Sequence, residues 1–292
     1  MQSELYIGVS PNGRETKSFM RIAVHQMNST FDIQQNVEAM ITGIKKAKAG
    51  GANAYFAPEM SMLLDRDRPR AKSVITKEAN STALLAIAEA VRQVGIWVHI
   101  GSLPVISERS ADRFCNRTLI FDSSGQVLAR YDKMHLFDVD LATGESWRES
   151  VAYLGGAGPV ITASPLGPMG LTICYDLRFP DLFSTLARNG AVAFAVPAAF
   201  TVPTGKAHWH VLLRARAIES AAFVIAAAQS GKHADGRETY GHSLVVDPWG
   251  EVLLDMGEGE GLGFVDLDLD RVQAVRAQIP VHLNRRDVPP LL

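Results

Sequence analysis

Cys174 is one of two cysteines in the chain, and it ends an apolar run in the stretch GLTICYDLRFP. Free cysteine is among the most buried residue types, so the position alone favours a core residue. Its surroundings favour chemistry instead, because a tyrosine, an aspartate and an arginine follow within four residues. In α/β proteins, sites commonly form where strands end. We therefore treat Cys174 as a candidate nucleophile.

Glu59 and Lys133 offer what a nucleophilic cysteine needs, namely help in losing its proton and in stabilising charge on the substrate oxygen. Glu59 closes the predicted strand AYFAPE, and Lys133 closes the predicted strand LARYDK. Each residue has an ordinary alternative as a solvated surface charge. Because residues at the ends of strands can converge on one rim of a sheet, the combination predicts a Glu–Lys–Cys site.

The elements that must position these residues alternate along the chain. Short apolar runs predict strands at 21–27, 54–59 and 96–104. Helical spacing after Asp32 and after Ser81 predicts helices between the strands. Turn sequences predict antiparallel hairpins in 117–133 and 242–256, and the charged, irregular stretch 61–75 is a predicted loop.

Strand–helix units and hairpins interleave throughout, which predicts one α/β domain with mixed sheets over residues 20–292. Residues 1–19 precede the first clear strand and lack the apolar core of a signal peptide. We expect them to form a poorly ordered N-terminal extension.

The composition limits the partners of the protein. A formal net charge of −2 gives no general basic field, so we expect neither a nucleic-acid nor a membrane partner. No apolar run approaches the length of about 20 residues that a membrane span needs. Two cysteines cannot form a disulfide framework, and no Cys/His cluster has zinc-site spacing. We therefore expect a cytoplasmic protein without a metal or another cofactor.

Three motifs occur in order along the chain, with APE around Glu59, YDKMHLF around Lys133 and GLTICYDLRFP around Cys174. They resemble the catalytic motifs of the nitrilase, or carbon–nitrogen hydrolase, superfamily. The resemblance covers nearly all of residues 20–285, and TGKAHWHVLLRARAIES, YGHSLVVDPWGEVL and QIPVHLNRRDV are similar to one amidase branch. It implies a four-layer α-β-β-α sandwich and a homodimer or a higher homo-oligomer.

The same resemblance implies a role for each motif residue. Cys174 would attack an amide carbonyl as a thiolate and form a thioester. Glu59 would accept the thiol proton, pass it to the departing amine and then activate water. Lys133 would stabilise the tetrahedral oxyanion together with the backbone N–H of Tyr175.

A second glutamate of the family, which holds the lysine and the substrate in place, aligns with Glu149 in WRESVAYLGG. Glu145 lies close by and is the competing assignment, although the Glu-Ser context favours Glu149. Burying a lysine between two carboxylates is costly, so such a grouping itself indicates a functional site.

Arg178, four residues after Cys174, is the candidate for substrate recognition, because a guanidinium can bind a carboxylate through two hydrogen bonds. The alternative is a structural ion pair with Asp176 or Asp181. Further candidates for the pocket wall are Tyr175, Phe200 and Thr201.

The expected function is a cofactor-free thiol amidase that acts on a small amide with a carboxylate. Deaminated glutathione, cleaved to 2-oxoglutarate and cysteinylglycine, is the favoured substrate, because HWHVLLRARAIES and AAAQSGKH look closer to that enzyme. An omega-amidase acting on 2-oxoglutaramate and a hydrolase of N-carbamoyl amino acids are the alternatives. The non-enzyme alternative is a catalytically silent binding protein with the same fold.

Overall fold

The computed structural model describes residues 19–142 and 144–286. The extension predicted for residues 1–19 lies outside these residues except for Phe19, where the first strand begins. The strands are β1 (Phe19–Gln26), β2 (Ala54–Phe56), β3 (Trp97–His99), β4 (Leu103–Ser107), β5 (Ser110–Phe121), β6 (Val127–Asp132), β7 (Asp138–Asp140), β8 (Ser146–Arg148), β9 (Val160–Ser164), β10 (Gly167–Leu171), β11 (Ala193–Ala195), β12 (Phe223–Ala226), β13 (Ser230–Lys232), β14 (Glu238–Tyr240), β15 (Leu244–Val246), β16 (Val252–Asp255) and β17 (Gly261–Asp268). The α-helices are α1 (Ile33–Ala49), α2 (Arg68–Val74), α3 (Thr82–Val94), α4 (Pro180–Arg188), α5 (Val202–Ser220), α6 (Arg271–Gln278) and α7 (Val281–Asn284).

Two mixed sheets form the body of the molecule. The first has the order β17-β1-β2-β3-β5-β4, with β6 paired to β5, and the second has the order β16-β15-β12-β11-β10-β9. The strands β1, β2 and β3 are parallel, and so are β10, β11 and β12. Antiparallel strands flank both groups, which confirms the predicted mixture of βα units and hairpins.

Alternate side chains of the first sheet pack in two different cores. Ala23 and Val98 pack with apolar side chains of α1 and α3. Ile22 and Phe56 point to the opposite face and share a core with Leu171 of the second sheet. Helices α4 and α5 contact strands of that second sheet. The result is the four-layer α-β-β-α sandwich that the resemblance implied.

Capping residues fix the helices of the first layer as predicted. The carboxylate of Asp32 accepts hydrogen bonds from two backbone N–H groups in the first turn of α1, and the hydroxyl of Ser81 accepts one in α3. Helix α3 stops at Gly95, whose φ of 69° lies in the left-handed region that glycine adopts at low cost. None of the described helices is long and apolar enough to cross a membrane.

Two local predictions are wrong. Residues 61–75 contain α2, which begins after the capping side chain of Asp67 with a proline in its first turn, where a missing N–H costs nothing. The stretch 96–104 is not one strand but holds all of β3 and the beginning of β4, because the chain turns at Gly101 with a φ of 74°. A Cβ atom at this position would lie 1.8 Å from the carbonyl oxygen of Pro58, so glycine allows the turn to pack against the segment that carries Glu59.

Candidate active site

Strand ends from both sheets meet at one rim of the sandwich. Glu59 follows β2, Lys133 follows β6 directly, and Cys174 lies just beyond the end of β10. All three line a cavity of about 340 Å³. The structure therefore brings together the three residues that the sequence singled out, although they belong to separate elements.

Cys174 is the first residue of a short 3-10 helix, Cys174–Arg178, and its φ of 49° lies in the left-handed region. Its backbone N–H donates a hydrogen bond of 2.9 Å to the carbonyl of Pro197, which follows the neighbouring strand β11. A residue other than glycine in this region is strained, and such strain is concentrated at functional sites. The sharp turn directs the side chain out of the sheet and into the cavity.

Asp176 holds this turn in place, a role that the sequence did not reveal. Its carboxylate is fully buried and accepts hydrogen bonds from the backbone N–H of Ile173 at 2.9 Å and from the hydroxyl of Tyr131 at 2.7 Å. The backbone N–H of His135 donates to it at 3.0 Å. Because Tyr131 and His135 lie on either side of Lys133, this carboxylate ties the nucleophile turn to the lysine segment.

Glu59 is buried, and both of its carboxylate oxygens accept hydrogen bonds. Its Oε1 accepts hydrogen bonds from Nδ2 of Asn116 at 2.9 Å and from Nζ of Lys133 at 3.0 Å, and its Oε2 accepts one from the backbone N–H of Ala199 at 2.9 Å. Asn116 lies within β5 and carries no sequence signal for a site. Together these donors fix the orientation of the carboxylate beside Cys174.

Lys133 lies between two carboxylates. Its Nζ is 3.0 Å from Glu59 and 2.9 Å from Oε2 of Glu149. Burial would lower the pKa of Lys133, but the negative charges of Glu149 and Glu59 outweigh it and hold this pKa well above its ordinary value. The lysine is therefore a fixed positive charge at the bottom of the cavity.

Of the two glutamates considered for the supporting position, Glu149 contacts Lys133. Its Oε2 also accepts a hydrogen bond of 2.7 Å from the backbone N–H of Phe137, which orients the carboxylate. Glu145 lies in the connection between β7 and β8, and within the described residues its Oε2 is buried without a hydrogen-bond partner.

The thiol of Cys174 is protonated in the resting site. Burial raises its pKa, the charge of Glu59 raises it further, and the charge of Lys133 compensates only in part, so the pKa stands well above its ordinary value. Reactive cysteines usually have a lowered pKa. Here the thiolate must form when a neighbouring base takes the proton, and Glu59 is in position to do so.

Arg178 lies on the cavity wall, with its guanidinium 5.8 Å from the ring centre of Tyr175 and 5.4 Å from that of Phe200. Its Nη1 is 3.2 Å from Nδ1 of His208. Within the described part of the chain it forms no ion pair with either aspartate that the sequence offered as a partner, since the carboxylate of Asp176 is occupied by other donors. Tyr175, Phe200 and Thr201 line the same cavity.

The outer part of the cavity carries cations and an aromatic ring that the sequence did not indicate. The guanidinium groups of Arg66 and Arg237 lie 5.7 Å and 5.3 Å from the ring centre of Trp147. Arg237 is paired with Asp235 at 2.8 Å. Arg66 is exposed at the rim, and no carboxylate among the described residues pairs with its guanidinium.

The model of the carbon–nitrogen hydrolase family matches residues 21–277. The chain belongs to the carbon–nitrogen hydrolase family. It is therefore a hydrolase that acts on carbon–nitrogen bonds of amides other than peptide bonds.

Relatives within this family cover nearly the whole chain. A deaminated glutathione amidase from Yersinia enterocolitica is 42% identical over 93% of this chain and 94% of its own length. The NitFhit protein of C. elegans superimposes with a TM-score of 0.85 and is 36% identical over 92% of this chain and 66% of that longer chain. Nit3 of Saccharomyces cerevisiae, a member of branch 10 of the nitrilase superfamily, superimposes with a TM-score of 0.81 at 27% identity over 92% of this chain and 96% of that chain.

Proposed function

We propose that this amidase cleaves deaminated glutathione to 2-oxoglutarate and cysteinylglycine through a thioester on Cys174. The observation that carries the chemistry is the buried thiol beside Glu59, Lys133 and Glu149 at the bottom of one cavity. The name of the Yersinia relative, at 42% identity, supports the substrate.

In acylation, Sγ of Cys174 attacks the amide carbonyl carbon while Glu59 accepts the thiol proton. The ammonium of Lys133 and the backbone N–H of Tyr175 stabilise the oxyanion that forms. When the tetrahedral intermediate collapses, the C–N bond breaks and Glu59 gives its proton to the departing amine. The acyl group remains on sulfur as a thioester.

In deacylation, Glu59 takes a proton from a water molecule, whose oxygen attacks the thioester carbonyl. The C–S bond breaks, the acid leaves, and Glu59 returns the proton to the sulfur of Cys174. The carboxylate of Glu149 stays beside Lys133 throughout, because its contacts with that lysine and with the backbone N–H of Phe137 do not involve Glu59. The lysine therefore stays charged in each step.

The cations of the cavity support a substrate with a carboxylate at each end. Arg178 lies within the same 3-10 helix as the nucleophile and is placed to bind the carboxylate of the acyl part. Arg66 at the rim is placed to bind a carboxylate of the leaving group. Deaminated glutathione has a carboxylate in both parts, whereas 2-oxoglutaramate has one in the acyl part alone.

We also propose a cytoplasmic homodimer. Both cysteines are free, which suits a reducing compartment. Helix α5, which lies next to the cavity, exposes 68% of Val211 and 49% of Ile218, and a second copy of the chain would bury these side chains.

The test compares deaminated glutathione, 2-oxoglutaramate and an N-carbamoyl amino acid on one preparation, with release of 2-oxoglutarate or of ammonia as the readout. We expect kcat/KM for deaminated glutathione to exceed the others by about ten-fold or more, because only this substrate engages both arginines. A higher kcat/KM for 2-oxoglutaramate would assign the protein as an omega-amidase. Failure to hydrolyse any of them, without an acyl adduct in the mass spectrum, would favour the silent binding protein.

A further inference from the structure

A second group of ligating side chains lies outside the catalytic cavity, where α5 faces the hairpins of the second sheet. His210 belongs to α5, His242 precedes β15, and Asp255 ends β16. The ligand atoms of these three residues all lie within 4.8 Å of one another. We propose that they bind one divalent transition-metal ion of the Zn²⁺ class.

The distances suit such an ion. Nε2 of His210 is 2.9 Å from Oδ2 of Asp255, and Nδ1 of His242 is 2.9 Å from Oδ1. Zn²⁺ binds imidazole nitrogen and carboxylate oxygen at about 2.0–2.2 Å, so that neighbouring ligands of a tetrahedral ion are roughly 3.3 Å apart. Each imidazole nitrogen therefore needs to move by only a few tenths of an ångström relative to Asp255, and the two ring nitrogens, which lie within 4.8 Å of each other, need to come to roughly this separation.

The ligand types also select the metal class. Two imidazoles and one carboxylate suit Zn²⁺ and its first-row neighbours better than the hard cations Mg²⁺ and Ca²⁺, which prefer oxygen ligands alone. The side chains of His210, His242 and Asp255 keep 33%, 22% and 34% of their surface exposed. An ion could therefore enter from solvent and complete its coordination with water.

The surroundings hold the ligands in place before any ion arrives. The Oδ1 of Asp255 accepts a hydrogen bond of 2.9 Å from the backbone N–H of Gly257. The ring of Tyr240 is stacked on His242, with ring centres 4.3 Å apart, and packs edge-on against His210. Fixed ring orientation of this kind raises metal affinity, because less freedom is lost on binding.

The backbone conformation of His242 is a further indication that these three side chains are arranged to bind a ligand. Its φ of 53° lies in the left-handed region, its N–H donates to the carbonyl of Gly257 at 2.7 Å, and its carbonyl accepts from Nε1 of Trp209 at 2.8 Å. This strained conformation is what directs the imidazole toward Asp255. The three ligands come from separate elements, so a bound ion would clamp α5 to the β15–β16 hairpin.

The test is a Zn²⁺ titration of chelator-treated protein by isothermal calorimetry, with Co²⁺ as a second probe because its visible spectrum reports coordination. The Cys174→Ala variant is the reference, since a catalytic thiolate is itself a zinc ligand. We expect one ion per chain and a higher melting temperature with Zn²⁺. In the same background, His210→Ala should weaken binding by at least about ten-fold, because even outer partners of a metal site contribute that much.

The matched control is His282→Ala, which removes a histidine of α7 outside this cluster and should leave the affinity unchanged. His242→Asn is the second ligand variant, since asparagine tolerates the left-handed backbone. Circular dichroism establishes that each variant is folded. The proposal is wrong if the Cys174→Ala protein binds no Zn²⁺. It is also wrong if neither His210→Ala nor His242→Asn, each made in that background, lowers the affinity for Zn²⁺.

Discussion

Cys174, the proposed nucleophile of this amidase, is a thiol in the free site. Burial and the charge of Glu59 raise the pKa of Cys174 well above its ordinary value, and Lys133 offsets only part of this effect. A protonated thiol is a poor nucleophile, so catalysis depends on a base that acts during the attack. Glu59 thus has two opposite effects, since it suppresses the free thiolate and yet accepts the proton when the substrate is present.

Glu59→Gln should separate these two effects. We expect kcat to fall by about 10³-fold, because the base is lost, while the pKa of Cys174 falls because a neighbouring negative charge is removed. Alkylation by iodoacetamide, which needs only the thiolate, should then reach its half-maximal rate at a lower pH than in the wild type. Steady-state kinetics and the pH profile of alkylation measure the two quantities.

Glu145→Gln is the matched control, because it removes a carboxylate that does not contact Lys133. It should leave both quantities near the wild-type values. An unchanged kcat in Glu59→Gln, or an alkylation profile displaced to higher pH, would contradict the roles assigned to Glu59.

The residues that meet at the bottom of the cavity could be predicted from the sequence, but their hydrogen-bond partners could not. Glu59, Lys133 and Cys174 stand in recognisable motifs at strand ends. Asp176 stands in the motif of Cys174, but the sequence suggests only an ion pair with Arg178 for it. Asn116 has no such context and contacts Glu59 from 57 positions away in the chain. Only the pairing of β5 with its neighbours brings that amide to the carboxylate, and pairing depends on the whole sheet.

At the scale of elements, the segment before α2 and the β7–β8 hairpin build the outer part of the cavity. Arg66 lies over Trp147 of β8, and Arg68 donates a hydrogen bond of 2.7 Å to the carbonyl of Arg148. The first segment belongs to the stretch that the sequence suggested was a loop. The sequence pattern did not predict α2 in this stretch, because the helix is rich in charged residues, buries only Ala71 and therefore has little apolar periodicity.

Arg66→Gln tests what this outer part of the cavity does. We expect KM for deaminated glutathione to rise by roughly ten-fold with kcat nearly unchanged, because the arginine contacts a part of the substrate remote from the reacting bond. Hydrolysis of 2-oxoglutaramate should be unaffected, since this substrate has no carboxylate in its leaving group. Kinetics on both substrates measure the difference.

Arg70→Gln is the matched control for Arg66→Gln, because Arg70 lies four residues further along, in α2, and is paired with Asp65. It should leave KM for both substrates near the wild-type value. An equal loss on both substrates in Arg66→Gln would indicate a general disturbance of the segment and would contradict recognition of the leaving group.

At the scale of the whole molecule, burial of ionisable groups controls the response to pH. His99 in β3 is almost completely buried, and burial lowers its pKa from 6.5 to about 3. Its Nδ1 accepts a hydrogen bond from the backbone N–H of Gly101, the turn next to Glu59. The native state therefore holds this ring neutral, while the unfolded chain protonates it near its ordinary pKa.

The free energy of unfolding should consequently fall as the pH drops below about 6.5, by about 1.4 kcal/mol per pH unit for this group, until its native pKa is reached. The free energy of unfolding falls, and does not rise, because the unfolded state binds more protons than the native state at every pH between these two pKa values. Urea unfolding between pH 7.5 and pH 5 measures the slope, and His99→Gln should show a shallower one. A slope in His99→Gln as steep as that of the wild type would contradict the neutral, buried state assigned to this ring.

The two sheets contribute different parts of the catalytic cluster. Glu59, Lys133 and Glu149 precede β9, whereas Cys174 and the turn that displays it follow β10 of the second sheet. Neither part of the chain holds both the base and the nucleophile. Two fragments separated between Glu149 and β9 would each be inactive, and hydrolysis would return only when the halves reassociate with the sheets in register. Recovery of activity would therefore report the docking of the two sheets together with the pairing of β17, which the second fragment carries, to β1 of the first fragment.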